Sequence, residues 1–454
     1  MKTLFLLCAF IPLGCIPVLL LLQIKSKMRN PYLFVTIFTN QIWLVLLFGS
    51  NPSGAYEGGS IITNLTLLFV SIVPLFVLVV SRAPVPKFAI KKEVEVLSKT
   101  LLKLSWIIFL ILGAFSALIS KTKLMPVTNT ILFAIILYLI FRGDFNFNDM
   151  LIAVYRVFSV QTSIILLTYT LNFNWNRLIV ESENEQIAFE SSAYFSPFAH
   201  LFNLPPRASG PFGNPQLAAV FSLFGIACFF MAKNSKKSVF ALISMTLFGS
   251  LTGSRTFYAI LLCLMLYYLF ANRLPKSSFS FWTALMVSTA LLLLAIFNFI
   301  LPLIVKNTTT ITNLTGRKVL WSLILENWNS DSLLGHGPNT LHDYAINHVY
   351  VGFAHAHNSI LQALWDFGLL GVSTILTIII TQCFVISKNS EHRYNGIGIF
   401  LCLILIQTEP TFKIGIQITS WFWLIPLIFA FSRHERMHES QANTDLSRPN
   451  HASN

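Results

Sequence analysis

The chain has 454 residues, of which 55% are hydrophobic and only 11% are charged, and its formal net charge is +13. A soluble domain usually carries about 25% charged residues, so this composition excludes an ordinary soluble protein. The positive charge does not indicate nucleic-acid binding, because Lys and Arg are concentrated in short loops between apolar segments.

Apolar runs of about 18 or more residues recur along the chain, which is typical of membrane-spanning helices. The strands of a β-barrel would be shorter and would alternate in polarity. The sequence therefore predicts an all-α polytopic integral membrane protein with about 12 to 13 transmembrane helices. In chain order, the predicted spans are 4–23, 31–49, 61–81, 101–120, 127–142, 149–171, 215–232, 237–252, 255–271, 280–304, 367–386, 394–408 and 415–432. Either all of them cross, or a short early segment such as 127–142 does not.

The loops that are rich in Lys and Arg all fall on one side of this arrangement, which the positive-inside rule identifies as the cytoplasm. The C-terminal tail then lies in the cytoplasm. The spans and loops divide the chain into N-terminal membrane helices (1–171), a first external loop (172–214), central membrane helices (215–304), a large external loop (305–366), C-terminal membrane helices (367–432) and the tail (433–454). Both external loops exceed ordinary connections and contain aromatic, Pro and Gly residues, so we expect them to be folded.

Three arginines, Arg207, Arg255 and Arg317, lie on the predicted external face, where cations are few. A guanidinium group matches phosphate oxygens in a bidentate way and keeps its charge, so the set predicts an anion site. The Gly/Ser turns beside Arg207 and Arg255 offer further N–H donors at helix N-termini. The alternative is that each arginine caps a helix or binds a lipid head group. Arg156 lies within an apolar run and is expected to reach the cytoplasmic interface or to pair internally.

Five histidines lie in the large external loop: His336, His342, His348, His355 and His357. A neutral imidazole is suited to general base catalysis, because it titrates near neutral pH. The His355-x-His357 spacing also fits a pair of metal ligands on a strand. That alternative is disfavoured, because no H-E-x-x-H motif is present and carboxylates are sparse in this loop.

The remaining sequence motifs do not indicate a further function. All six cysteines lie in apolar segments and are expected to be small core residues. There is no phosphate-binding G-x-x-x-x-G-K-[ST] loop, no G-x-G-x-x-G and no G-x-S-x-G elbow. The segment "GHGPNTL" at 335–341 is a glycine-bounded turn that is suited to bringing backbone close to a ligand.

Four segments in this order resemble a known family: "RASGPFGNPQLAAVF", "LTGSRTFYAILLCLML", "GRKVLWSLILENWNSDSLLGHGPNTL" and "AHNSILQALWDFGLLG". They are similar to the domain shared by O-antigen ligases, O-antigen polymerases and bacterial protein O-oligosaccharyltransferases. The resemblance covers about 207–371, and residues 1–200 match only as a helical membrane scaffold. In one departure, the family's usual N-P-N reads Asn214-Pro215-Gln216 here, where Gln still provides an amide.

This resemblance implies a GT-C-like, metal-independent, inverting glycosyltransferase of the bacterial inner membrane, with no cofactor and with its active site facing the periplasm. The donor would be a glycan on undecaprenyl pyrophosphate. The family's functional residues correspond to His357 as the catalytic base and to Arg207, Arg255 and Arg317 as pyrophosphate ligands. Asn358, Asn214, Gln216 and His336 are expected to support them, whereas His355 is expected to be dispensable.

The acceptor distinguishes the members of the superfamily. A ligase uses lipid A-core, a polymerase uses a glycan repeat unit, and a protein transferase uses Ser or Thr. The intact "GHGPN" and "AHNSILQALWDFGLLG" segments and the short C-terminal tail favour a ligase. A transporter of the same lipid-linked glycan is the alternative from another class, and it would place ionisable residues near the middle of the membrane. Here the candidate residues lie on one face, which favours an enzyme.

Overall fold

The computed structural model describes residues 35, 93–119, 124–142, 146–170, 208, 210–212, 215–232, 238–254, 257–258, 260–262, 264–265, 317–327, 333–337, 340–341, 344, 356, 358–389 and 418–432. Every extended regular element among these residues is helical. The α-helices are α1 (Glu93–Ile119), α2 (Leu124–Arg142), α3 (Phe147–Thr170), α4 (Pro215–Met231), α5 (Val239–Leu251), α6 (Arg317–Glu326), α7 (Ser359–Asn389) and α8 (Ile418–Phe431), with a 3₁₀ turn at Gly210–Phe212 before α4.

The described helices α1 to α5, α7 and α8 lie at predicted spans. Helices α1 to α5 and α8 match their predicted spans to within several residues. Among the described residues, three stretches are long and apolar enough to cross a membrane: Leu97–Phe115, Phe147–Thr170 and Ser359–Gln382. The predicted spans 4–23, 61–81, 280–304 and 394–408 lie outside the described residues, as does 31–49 except for Val35.

Helix α7 corrects one predicted boundary. It begins at Ser359, within the predicted loop 305–366, because hydropathy locates only the apolar part of a helix and not its polar start. The backbone of Gly368 is non-helical (φ 64°, ψ −156°), so α7 consists of two segments that meet there. The break lies beside the start of the predicted span at 367.

Helix α4 lies at the centre of one group of helices, formed with α3 and α5. Nearly every residue from Pro215 to Phe229 is buried, as expected for a helix that is apolar on all sides. Phe158 of α3 stacks on Phe221 of α4, with 3.8 Å between ring centroids. Cys228 is a buried free thiol, which confirms the core location expected for this cysteine.

Helices α1, α2, α7 and α8 form a second group. Phe109 of α1 meets Phe367 of α7 edge-on at 5.8 Å between ring centroids, beside the break in α7. Within the buried part of this group, the Gln382 side-chain amide of α7 donates to the Trp423 carbonyl of α8 at 3.1 Å. The outer side of α1 is a stripe of exposed apolar side chains, as expected for a helix that faces lipid: Leu97, Leu101, Leu104, Ile108, Ile111 and Phe115.

A separate small apolar cluster is built around α6 and the first part of α7, and we call it the cap cluster. Its buried members are Leu320, Ile324, Leu341, Ala356 and Trp365. They come from α6, from two intervening segments and from the first part of α7. The described part of the predicted loop 305–366 is therefore folded around an apolar core of its own.

Candidate functional site

The start of α7 fixes the residues on both sides of His357. Asn358 is the N-cap residue, because its side-chain oxygen accepts hydrogen bonds from the N–H groups of Ile360 (2.9 Å) and Leu361 (3.0 Å). Asn is among the residues that occur most often at this position. The backbone on the C-terminal side of His357 therefore has a fixed direction.

Ala356, on the N-terminal side of His357, is held by two side chains. Its N–H donates to the side-chain oxygen of Gln362 at 2.8 Å, and its carbonyl accepts from the indole N–H of Trp321 at 2.7 Å. Ala356 itself is completely buried in the cap cluster. We refer to Ala356 and Asn358, the described residues on either side of His357, as the Ala356 turn.

The hydrogen bonds to the Ala356 turn continue along α7. The Gln362 side-chain amide donates to Asp366 Oδ1 at 2.9 Å, one helical turn further on. Both side chains are nearly buried, with 6% of Gln362 and 8% of Asp366 exposed. The Asp366 carboxylate is thus linked to the Ala356 turn through the side-chain amide of Gln362.

The glycine-bounded turn at Gly335–Gly337, which we call the GHG turn, contacts the break in α7. The N–H of His336 donates to the Trp365 carbonyl at 2.7 Å, and that of Gly337 donates to the Asp366 carbonyl at 3.1 Å. In an unbroken helix the Asp366 carbonyl would accept from residue 370. The GHG turn therefore completes the hydrogen bonding of the broken helix.

Gly335 is required by this close approach. Its φ is +70°, and a Cβ atom built on it would lie 2.5 Å from both the Gly368 nitrogen and the Trp365 carbonyl oxygen. The sequence predicted a turn whose glycines bring backbone close to a ligand. The turn is confirmed, but the backbone that Gly335 approaches is that of α7.

His336 is exposed and stacks on Trp365, with 4.1 Å between ring centroids and 12° between the ring planes. The indole N–H of Trp365 donates to the Thr340 hydroxyl at 2.9 Å, and Tyr344 packs against the same ring. In the described structure His336 therefore covers a buried tryptophan. That contact gives it a supporting position in the cap cluster.

A second cluster joins the segments that carry Arg207 and Arg255. The N–H of Ala208, the residue after Arg207, donates to the carbonyl of Leu251 at the end of α5 with a length of 2.9 Å. The N–H of Gly210 donates to the hydroxyl of Tyr169, near the end of α3, at 2.8 Å. The residue that follows Arg207 is therefore fixed next to the turn that leads to Arg255.

The turn between α5 and Arg255 already uses its described N–H groups. The N–H of Phe257 donates to the carbonyl and hydroxyl oxygens of Ser254, and the N–H of Ser254 donates to the Thr252 hydroxyl. Additional anion donors were predicted from this Gly/Ser turn. The described amides donate within the turn itself, so they do not supply those donors.

The predicted site residues are described to different extents. Arg207, Asn214, Arg255 and His357 lie outside the described residues, as does His355. Arg317 begins α6, and its backbone alone is described. Gln216 is half-buried in the first turn of α4, directly after Pro215. Arg156 is exposed in the middle of α3 rather than buried.

The described neighbours of the predicted residues form two clusters. One contains Ala208, Leu251 and Tyr169, next to Arg207 and Arg255. The other contains α6, which Arg317 begins, and the Ala356 turn, which is joined to α6 through Trp321. The contacts above join residues within each cluster, so the meeting of both clusters at one substrate is part of the function proposed below.

A metal site is not assembled by the described residues, which contain no group of three or more His, Cys, Asp or Glu side chains. Four of the five histidines in the large loop lie outside these residues. Independence from metal therefore stays a prediction.

Sequence reasoning did not identify Trp321, Gln362 or Tyr169. Gln362 and Asp366 are four residues apart, which places them on one face of a helix, and a polar pair in an otherwise apolar segment is the signal that points to them. Trp321 and Tyr169 act on residues 35 and 41 positions away in the chain, which no local pattern reveals.

No curated protein sequence matches the chain. Residues 239–376 match the family model Wzy_C, described as O-antigen ligase. The match includes Arg255, Arg317, His336 and the Ala356 turn, whereas Arg207, Asn214 and Gln216 precede it. The comparison thus confirms the resemblance inferred from the sequence motifs. Less than a third of the chain is covered, and that part is similar to the domain described as O-antigen ligase, which supports a membrane enzyme of the O-antigen ligase or polymerase type.

Proposed function

We propose that this protein is an inverting glycosyltransferase that moves a glycan from undecaprenyl pyrophosphate to a hydroxyl group of lipid A-core. The observation that carries the proposal is the Ala356 turn, which lies within the family domain at the outer start of a helix suited to crossing a membrane. Both neighbours of His357 are held in place there. A general base has to be held in this way, because proton transfer depends on geometry before pKa.

The proposed reaction is a single displacement at C1 of the donor sugar. His357 accepts the proton of the acceptor hydroxyl while that oxygen attacks C1 of the donor sugar. The bond between C1 and the pyrophosphate oxygen breaks, its electron pair leaves with undecaprenyl pyrophosphate, and the configuration at C1 is inverted. Negative charge develops on the leaving group, where preorganised cations stabilise the transition state.

Arg207, Arg255 and Arg317 are proposed to supply this positive charge. The Ala208–Leu251 hydrogen bond supports the pairing of the first two, because it fixes their segments side by side. The third arginine begins α6, which is attached to the Ala356 turn through Trp321. No divalent ion is needed in this mechanism, since guanidinium groups provide both charge and bidentate hydrogen bonds.

The contacts between helix ends support the alternating orientation. Lys103 of α1 lies 5.8 Å from the ring centroid of Phe141 and 5.4 Å from that of Phe431. Phe147, at the start of α3, meets Phe429 near the end of α8 at 5.4 Å between ring centroids. All of these residues lie near helix ends that are predicted to be cytoplasmic. A single orientation in the membrane therefore agrees with the predicted ends of α1, α2, α3 and α8.

The proposed active site lies at the helix ends opposite to the predicted cytoplasmic ones. Ala208 meets Leu251 there, and the Ala356 turn starts α7 at the end that is predicted to face away from the cytoplasm. Exposed leucines lie on both sides of the contact between the GHG turn and α7: Leu333, Leu334, Leu369 and Leu370. A site beside this apolar surface suits a substrate that combines a sugar with a lipid. This supports an active site at the periplasmic face of the inner membrane.

The proposal is tested by transfer from an undecaprenyl-pyrophosphate-linked glycan to lipid A-core by the purified protein in lipid vesicles. Free repeat units and a pilin protein are offered in parallel. We expect lipid A-core to be glycosylated, His357→Ala to lower the rate of transfer roughly 100- to 10,000-fold and His355→Ala to retain it. Transfer to repeat units or pilin alone would reassign the acceptor, and undiminished transfer by His357→Ala would refute the base.

A further inference from the structure

Two buried polar side chains on α7 are joined to the main chain of the Ala356 turn. Asp366 Oδ1 accepts from the Gln362 side-chain amide at 2.9 Å, and the Gln362 side-chain oxygen accepts from the Ala356 N–H at 2.8 Å. Trp321 holds the other side of the same residue through its carbonyl at 2.7 Å. Both hydrogen-bonding groups of Ala356 are thus bound by side chains.

Asp366 determines which end of the Gln362 amide faces the turn. Asp366 Oδ1 is the acceptor in this contact, so it is the NH₂ group of Gln362 that faces Asp366. The amide oxygen then faces Ala356, whose N–H requires an acceptor. In the reverse orientation, two donors would meet at Ala356 and two acceptors would meet at Asp366.

Stabilisation of α7 does not explain why Gln362 and Asp366 are buried together. Desolvating an amide and a carboxylate costs free energy, and apolar residues of similar size often replace such buried groups without loss of stability. The first turn of α7 is already capped by Asn358. The contribution that remains for Gln362 and Asp366 is geometric, because together they fix where the residue before His357 lies.

We propose that Gln362 is a positioning residue for His357 and that Asp366 orients Gln362. This inference rests on the proposed function, in which His357 accepts the proton of the acceptor hydroxyl. Gln362 touches neither substrate, and it acts by holding the Ala356 turn. Misplacement of a reacting group by about 1 Å can cost roughly 100-fold in rate, so loss of this hold affects turnover.

The test compares Gln362→Met with Gln382→Met in the vesicle transfer assay. Gln382 is a matched control, because it is buried on the same helix and donates one side-chain hydrogen bond, to Trp423, away from the turn. For Gln362→Met we expect kcat to fall roughly 10- to 100-fold while the KM for the donor stays within about twofold. Gln382→Met should retain the wild-type kcat. An equal loss in both variants would overturn the inference.

Substitutions of Asp366 distinguish its role in orienting Gln362 from the effect of its charge. Asp366→Asn keeps a side-chain oxygen that can accept from Gln362, whereas Asp366→Ala removes it. We therefore expect Asp366→Asn to retain much more activity than Asp366→Ala. Equal losses, with both proteins folded by size-exclusion chromatography and circular dichroism, would overturn the orienting role of Asp366.

A double substitution separates this inference from the proposed function. If Gln362 acts through His357, the residual transfer by His357→Ala over a long incubation should not fall further when Gln362→Met is added. Losses that multiply would overturn the positioning role. If His357→Ala retains full transfer, the catalytic base is wrong; if it loses transfer while Gln362→Met does not, only the positioning role is wrong.

Discussion

Replacing Gly335 by Ala tests how the GHG turn is joined to α7. The φ of +70° at this position costs an L-residue about 1–2 kcal/mol. The added Cβ would also lie 2.5 Å from backbone atoms of Trp365 and Gly368, which cannot rotate away as a side chain would. The turn then has to leave the helix, with loss of two hydrogen bonds that contribute about 1 kcal/mol each. We expect local destabilisation of about 3–4 kcal/mol.

The matched control is Gly337→Ala. Gly337 has a φ of +89°, but the nearest atom to its added Cβ is a Thr340 methyl carbon at 4.0 Å. The expected destabilisation is therefore the backbone cost alone, about 1–2 kcal/mol. Both variants start from a glycine with positive φ in the same turn, so their difference isolates the close approach to α7.

Hydrogen exchange measured by mass spectrometry reports this difference at the peptides that contain the turn and the break. Since about 1.4 kcal/mol corresponds to a tenfold change in an equilibrium constant, Gly335→Ala should accelerate exchange there by more than 100-fold. Gly337→Ala should accelerate it roughly tenfold, and peptides from α4 should be unchanged in both. Equal acceleration by the two variants would refute the reasoning.

Three further outcomes are expected. Arg255→Lys should lower the rate of transfer by at least about tenfold, because Lys keeps the charge but loses the bidentate geometry, and a wild-type rate would contradict a fork-like contact with phosphate. Tyr169→Phe removes the hydroxyl that accepts from Gly210 and should destabilise the protein by about 1–3 kcal/mol in thermal unfolding and lower transfer, and an unchanged melting temperature would contradict this role of the hydroxyl. Transfer should survive an excess of a strong chelator, and a loss that a divalent ion restores would support a metal site instead.

The fold was predictable where its signals are local. Helix α4 begins at Pro215, as the sequence indicated, because proline is favoured at the first position of a helix and the following residues are apolar on all sides. The start of α7 was missed because its first segment lies outside the apolar stretch that hydropathy detects. The Asn358 cap is the local signal that locates it.

The site was predictable as a set of residues but not as an arrangement. The resemblance named His357 and Asn358 together, and α7 begins directly after them at Ser359. The side chains that hold Ala356 come from α6 and from one turn into α7, and their convergence depends on the cap cluster. Periodicity identifies which face of a helix is apolar, but it does not show which distant main-chain group a polar side chain reaches.

The break in α7 also determines how this protein can be recombined with its relatives. The carbonyl of Leu333 accepts from the N–H of Leu370, and the GHG turn donates to the carbonyls of residues 365 and 366. The main chain of residues 333–337 is thus hydrogen-bonded to α7 on both sides of its break. A chimera that exchanges only the external loop would bring a foreign turn to a native break, with the hydrogen bonds out of register. Grafts intended to change acceptor choice should therefore move residues 333–370 as one block.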